Sequence, residues 1–165
     1  MTTPTWEGLH PLVVHFPIVL LTLPPLFLAA ALWRREPAGH FTLSAWALLV
    51  LGTSSAFLAR ASGAAAETLV SKNDLIDRSI QEHAEAAFWA CLLSLLVTLL
   101  LTAFLWVSNN KPGILTEQTA RKTLALILVF CLALVAAILK TGHEGSFLVH
   151  ALGLTNPGSF PPPGP

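Results

Sequence analysis

Four long apolar runs separated by short polar stretches organise this chain. They extend over Leu12–Trp33, Phe41–Ala61, Ala86–Val107 and Thr123–Leu139. A helix needs roughly 20 apolar residues to cross a hydrocarbon core, and each run is close to that length. None holds a Lys, Arg, Asp or Glu in its middle, and Arg60 lies near the end of the second. Backbone groups in lipid must be paired internally, which leaves helices or closed barrels. Barrel strands alternate in hydrophobicity and these runs do not, so the pattern predicts an all-α, four-helix transmembrane bundle.

The pattern also marks where helices begin, bend and end. Asn73-Asp74 makes an N-cap, and Leu75, Ile76, Ser79, Ile80, His83, Ala84 and Ala87 recur at helical spacing. The third helix is therefore predicted to start near Asp74 and to project beyond the bilayer. Ile76, Ile80, His83 and Ala87 share a stripe, so His83 is expected to face the bundle. Pro11, Pro17, Pro24 and Pro25 punctuate the first helix, and each interior proline removes a hydrogen bond and bends it. Ser62–Glu67 can continue or cap the second helix. Gly142 and Gly145 predict a helix end and a tight re-turn after the fourth span. If the segment instead stays helical, His143 and His150 share a face two turns apart. The end of the chain, Asn156–Pro165, is too rich in proline for regular structure and reads as an extended tail on a domain of residues 1–155.

Composition fits a membrane protein. The chain is 54% hydrophobic and 11% charged, about half the charge of a soluble domain. Nine basic residues balance nine acidic ones, so no global field points to nucleic acid. The first run follows a stretch without Lys or Arg and is longer than a signal-peptide core, so it reads as a retained span. The two loops predicted on one side hold Arg34, Arg35, Lys111, Arg121 and Lys122, and the other side holds Arg60, Lys72, Arg78 and Lys140. By the bias of basic residues toward the cytoplasm, both termini are expected on the outer, periplasmic face of a bacterial inner membrane. Trp33 and Trp106 would anchor the cytoplasmic ends.

Candidate chemistry rests on histidine. Alternating spans would bring five of the six histidines (His10, His15, His83, His143 and His150) to one face, leaving His40 beside the basic loops. Imidazole is a leading ligand for metals and haem iron, and ionisable groups in or beside spans are functional candidates. His10 and His15 differ by about 140° around a regular helix, so one faces the bundle and the other its rim. The deeper one, His15, is expected to point inward.

The opening Leu9-His10-Pro11-Leu12-Val13-Val14-His15-Phe16-Pro17-Ile18 resembles the signature of a small bacterial membrane domain, domain of unknown function 2231. Ser62-Gly63, His83 and Thr141-Gly142-His143-Glu144-Gly145-Ser146 resemble later parts of that pattern, with Ser146 where relatives usually carry a second glycine. Position 150 in relatives is often an aromatic hydroxyl or a histidine. The resemblance implies a four-helix membrane unit. Relatives occur alone or fused to Rieske iron–sulfur or cytochrome c domains, which implies a setting in electron transfer.

A b-type haem in a helical bundle is typically held by two histidines from different helices. Haem b, one or two, bound by His15, His83, His143, His150 and His10, is the favoured reading, with Arg60 either pairing a propionate or snorkelling to the interface. Small residues (Gly52, Ser54, Ser55, Ala56 and Ala59, with Ala84, Ala86, Ala87 and Ala90) would make room for the ring or simply promote helix packing. A copper or zinc site built on His15, His83 and His143 is the alternative. Glu144 can orient an imidazole, Lys140 snorkels to the interface, and Cys91 and Cys131 read as apolar packing residues. With no nucleophile–base pair, phosphate loop or buried carboxylate pair in view, no independent catalytic activity is expected. The chain reads as an electron-transfer subunit of a larger respiratory or photosynthetic complex, exchanging electrons with quinone, cytochrome c or Rieske-type partners. The competing reading is a cofactor-free structural or assembly subunit.

Overall fold

The computed structural model describes residues 9–68, 70, 74–111 and 113–150. The Asn73 cap and the tail at 156–165 lie outside the described residues. Among the described residues six helices follow one another: α1 (His10–Val13), α2 (His15–Thr22), α3 (Pro24–Arg34), α4 (His40–Glu67), α5 (Asp74–Asn110) and α6 (Glu117–His150). The first three form one bent span, so the chain has four helical segments long and apolar enough to cross a membrane. The breaks fall at Val14 and Leu23, ahead of Pro17 and of Pro24-Pro25, where the prolines withhold amide donors. Thr22, beside the second break, donates its hydroxyl to the Ile18 carbonyl at 2.7 Å, one turn back.

The spans pack in a ring: the first on α4, α4 on α5, α5 on α6, and α6 back on the first. Its core is a column of fully buried leucines, including Leu21, Leu28, Leu49, Leu101, Leu124 and Leu134. Side chains such as Leu26, Leu51, Leu99 and Val129 are more than half exposed, as lipid-facing residues must be. α3 stops where Arg35 turns left-handed at φ 58°, two residues before Pro37. Thr116 caps α6, accepting the Thr119 amide at 3.2 Å.

Lipid offers apolar side chains no driving force to leave it, so close backbone approach and hydrogen bonds hold the helices together. At Gly52 a Cβ would lie 2.5 Å from Leu21 Cδ2, so the first span and α4 touch there. The small residue therefore closes a helix contact, and any role in clearing space for a ring is corrected at this position. Between α4 and α5 runs a polar ladder. Trp46 Nε1 donates to Thr102 Oγ1 at 2.9 Å, and the Thr53 and Thr98 hydroxyls pair at 2.9 Å.

α6 departs from expectation at its end. It runs unbroken through Gly142 and Gly145 to His150, because the packing of Thr141, Gly145 and Leu148 continues the buried stripe of the span. The predicted re-turn is thus replaced by a helix that rises beyond the apolar run beside the start of α5.

Candidate functional site

Which histidine meets the bundle is decided by helical phase. The buried face of the first span carries Pro17, Leu21, Pro24, Leu28 and Ala31. Stepping back from Pro17 by one and then two turns leads to Val13 or Val14 and then to His10. His10 is accordingly half-buried, while His15 is exposed. The expectation of an inward His15 is corrected: depth along a helix does not set which way a residue faces. On α5 the buried face runs through Ile76, Ala90, Ser94, Val97 and Leu101, and His83 lies on it, half-buried. On α6 it runs through Leu134, Ile138 and Leu148, which leaves His143 and His150 two positions off the stripe and exposed.

His10 and His83 are held by a common device. His10 reaches across to α4, where its Nδ1 lies 3.0 Å from Ser62 Oγ and near the Ala59 carbonyl. Ser62 gives its own hydrogen to that carbonyl at 2.9 Å, so the contact is satisfied with His10 Nδ1–H as donor. The ring lies over Gly63, four residues beyond Ala59, where an added Cβ would meet His10 Cε1 at 2.9 Å. His83 reaches from α5 to α6 and donates Nδ1–H to the Thr141 carbonyl at 3.1 Å. Its ring lies over Gly145, four residues beyond Thr141, where a Cβ would meet His83 Cε1 at 3.1 Å. A helical carbonyl points toward the residue one turn on, and a side chain there would block an incoming ring. Glycine at that place opens the approach.

Among the described residues no hydrogen bond engages Nε2 of either ring. With Nδ1–H anchored, the Nε2 lone pair is the ring's remaining ligating atom, the arrangement in which histidine binds metals. Among the described residues no group of three or more His, Cys, Asp or Glu gathers as a metal site. The trio His15, His83 and His143 does not converge, since two of its members point outward.

The remaining candidates sit apart. Arg60 is exposed, with its guanidinium 5.4 Å from the centre of the Phe88 ring. His40, at the other end, stacks on Phe41 and lies 3.9 Å from Glu36. Cys91 and Cys131 are buried, unpaired thiols in the core. Ser62, Gly63, Thr141 and Gly145 were not singled out as ring supports from sequence. Their signal was available: each glycine follows a ring-accepting carbonyl by one turn on a small-residue face.

Four helical spans, with two imidazoles at one end each anchored on a neighbouring helix, make this a small multi-span membrane protein. Residues 7–158 match the family described as predicted membrane protein (DUF2231), and the chain belongs to that family. No curated protein and no solved structure matches it.

Proposed function

We propose that the chain is an electron-transfer subunit of a bacterial inner-membrane complex, with a b-type haem ligated by His10 and His83 at the periplasmic face. The observation that carries this reading is the presence at one end of the bundle of two imidazoles, from spans opposite each other in the ring, each with Nδ1–H anchored and, among the described residues, no partner at Nε2. The donor set fits haem iron, which takes two axial ligands, better than a metal ion that needs three or four protein groups. The haem would supply a one-electron carrier between quinone and an outer cytochrome c or Rieske-type partner. The protein's share is to orient the ligands. Ser62 and the Thr141 carbonyl fix each tautomer and make Nε2 more basic, while Gly63 and Gly145 set the distance of each ring from the helix behind it.

A reduced-minus-oxidised absorption spectrum of the purified protein tests the proposal, with iron measured per polypeptide. A b-type band that is lost in His10→Ala and in His83→Ala, and kept in His15→Ala and His143→Ala, is the expected result. No band, with no iron, refutes it.

A second reading, a cofactor-free structural subunit, is favoured by a specific observation. The two rings already pack against glycines, and neither the cleft at Leu32–Arg121 nor that at Glu82–Lys140 is lined by them. In that case the imidazoles act as clasps between neighbouring helices, and the same spectrum separates the readings.

A further inference from the structure

At the end opposite the histidines a cleft of about 790 Å³ opens between the end of α3 and the first turns of α6. Leu32, Thr116, Glu117, Gln118, Arg121 and Lys122 line it, with Ala125 at its foot. Arg121 is half-buried, and its Nε is shielded from solvent with no hydrogen-bond partner. A guanidinium donor in that state calls for an acceptor that the described residues do not supply. Two cations face the cleft against one carboxylate, that of Glu117, so it is net positive. The Thr119 amide is already taken by Thr116 Oγ1, so the cleft offers side chains and not open helix amides.

Its level in the membrane identifies the occupant. Trp33, next to Leu32, is 87% exposed and Trp106 is 55% exposed, which sets this end at the aromatic interface belt. Below the cleft the stripe of Ala125 continues through Val129 and Leu132, both more than half exposed. A polar, cationic pocket sits above a lipid-facing apolar track. We infer that the cleft binds the phosphate of an anionic phospholipid, with Arg121 and Lys122 on the headgroup and one acyl chain along Val129 and Leu132. Arginine's fork geometry suits a phosphate oxygen pair, and Lys122 adds a point charge. This inference does not depend on whether the histidines hold haem.

The test uses the full-length protein in detergent, titrated with phosphatidylglycerol or phosphatidylcholine and analysed by native mass spectrometry. The wild type is expected to retain phosphatidylglycerol about tenfold more than phosphatidylcholine, and the Arg121→Gln/Lys122→Gln protein to lose that preference. Lys122→Glu, at an exposed position, is a second variant that leaves the buried side intact and should lower retention on its own. Lys140→Gln, a charge removed at the opposite end, should change nothing. Equal retention of the two lipids, or equal retention by the wild type and both cleft variants, overturns the inference. So does a loss as large in Lys140→Gln, which would mean diffuse charge attraction. Displacement of the lipid by millimolar inorganic phosphate alone would assign the pocket to free phosphate and overturn the lipid source.

Discussion

Replacing Gly63 by alanine tests the seat of the His10 ring. The new Cβ would stand 2.9 Å from His10 Cε1 and 3.4 Å from both ring nitrogens, so the ring must move. Moving it breaks the 3.0 Å contact with Ser62, a loss of about 1 kcal/mol. Strain from overpacking costs about 1 kcal/mol more, at the low end because the obstacle is the tip of a side chain on a four-residue helix. Against this, alanine for glycine inside a helix is worth about 0.5–1 kcal/mol. The net expectation is a loss of about 1 kcal/mol. Gly142→Ala is the matched control, since nothing lies within 4 Å of a Cβ there and only the helical gain remains. The two variants should therefore differ by about 2 kcal/mol, or roughly 4–8 °C in Tm for a chain of this size. Thermal unfolding followed by circular dichroism in one detergent measures the difference. On a His10→Ala background the Gly63→Ala penalty should vanish, as a coupled pair requires. If Gly63→Ala melts with Gly142→Ala, or keeps its penalty without His10, the ring does not rest on this glycine.

Gly52→Ala should lower stability by about 1–2 kcal/mol net, because its Cβ would fall 2.5 Å from Leu21 Cδ2 and 2.8 Å from Cγ in a fully buried place. Adding Leu21→Ala should remove the clash term, and a double-mutant melt reads this directly. Thr98→Val deletes the 2.9 Å bond to Thr53, and a cycle with Thr53→Val should give a coupling of roughly 0.5–1.5 kcal/mol. Cys91 and Cys131, at 3% and 0% exposure, should resist maleimide in the folded detergent complex and react after denaturation in dodecyl sulfate. Fast labelling of Cys131 in the folded protein would contradict its place in the core.

The fold was legible because its determinants are coarse. Four apolar runs without central charges admit few structures in lipid, and Asp74 with Asp77 in the first turn of α5 marks a helix start by charge as well as by pattern. The end of α6 was misread because glycine is a stop signal only when nothing else holds the helix. Here Gly145 lies under the His83 ring and Leu148 is buried, so packing overrides local preference. His83 could be placed from its neighbours, since Ile76, Ile80 and Ala87 surround it at helical spacing. His15 was misjudged because depth was weighed and phase was not. The buried stripe Pro17, Leu21, Pro24 and Leu28 points back to His10. Pro17, Pro24 and Pro25 themselves lie on the buried face and mark it along the first span.

The two clasps repeat one rule at two places in the chain. In each, a histidine near the start of an odd-numbered span reaches the following span, bonds at or beside a helical carbonyl, and lies on the glycine one turn later. Ala59 with Gly63 serves His10, and Thr141 with Gly145 serves His83. Spans one and two are thus tied as one hairpin, and spans three and four as another. The ring of four spans sets the first opposite the third, so the two clasps stand at opposite corners of one end. A neutral ring with Nδ1–H anchored leaves Nε2 as a ligand. The identical anchoring of His10 and His83 at one end of the bundle, more than the number of histidines there, is what the haem proposal rests on.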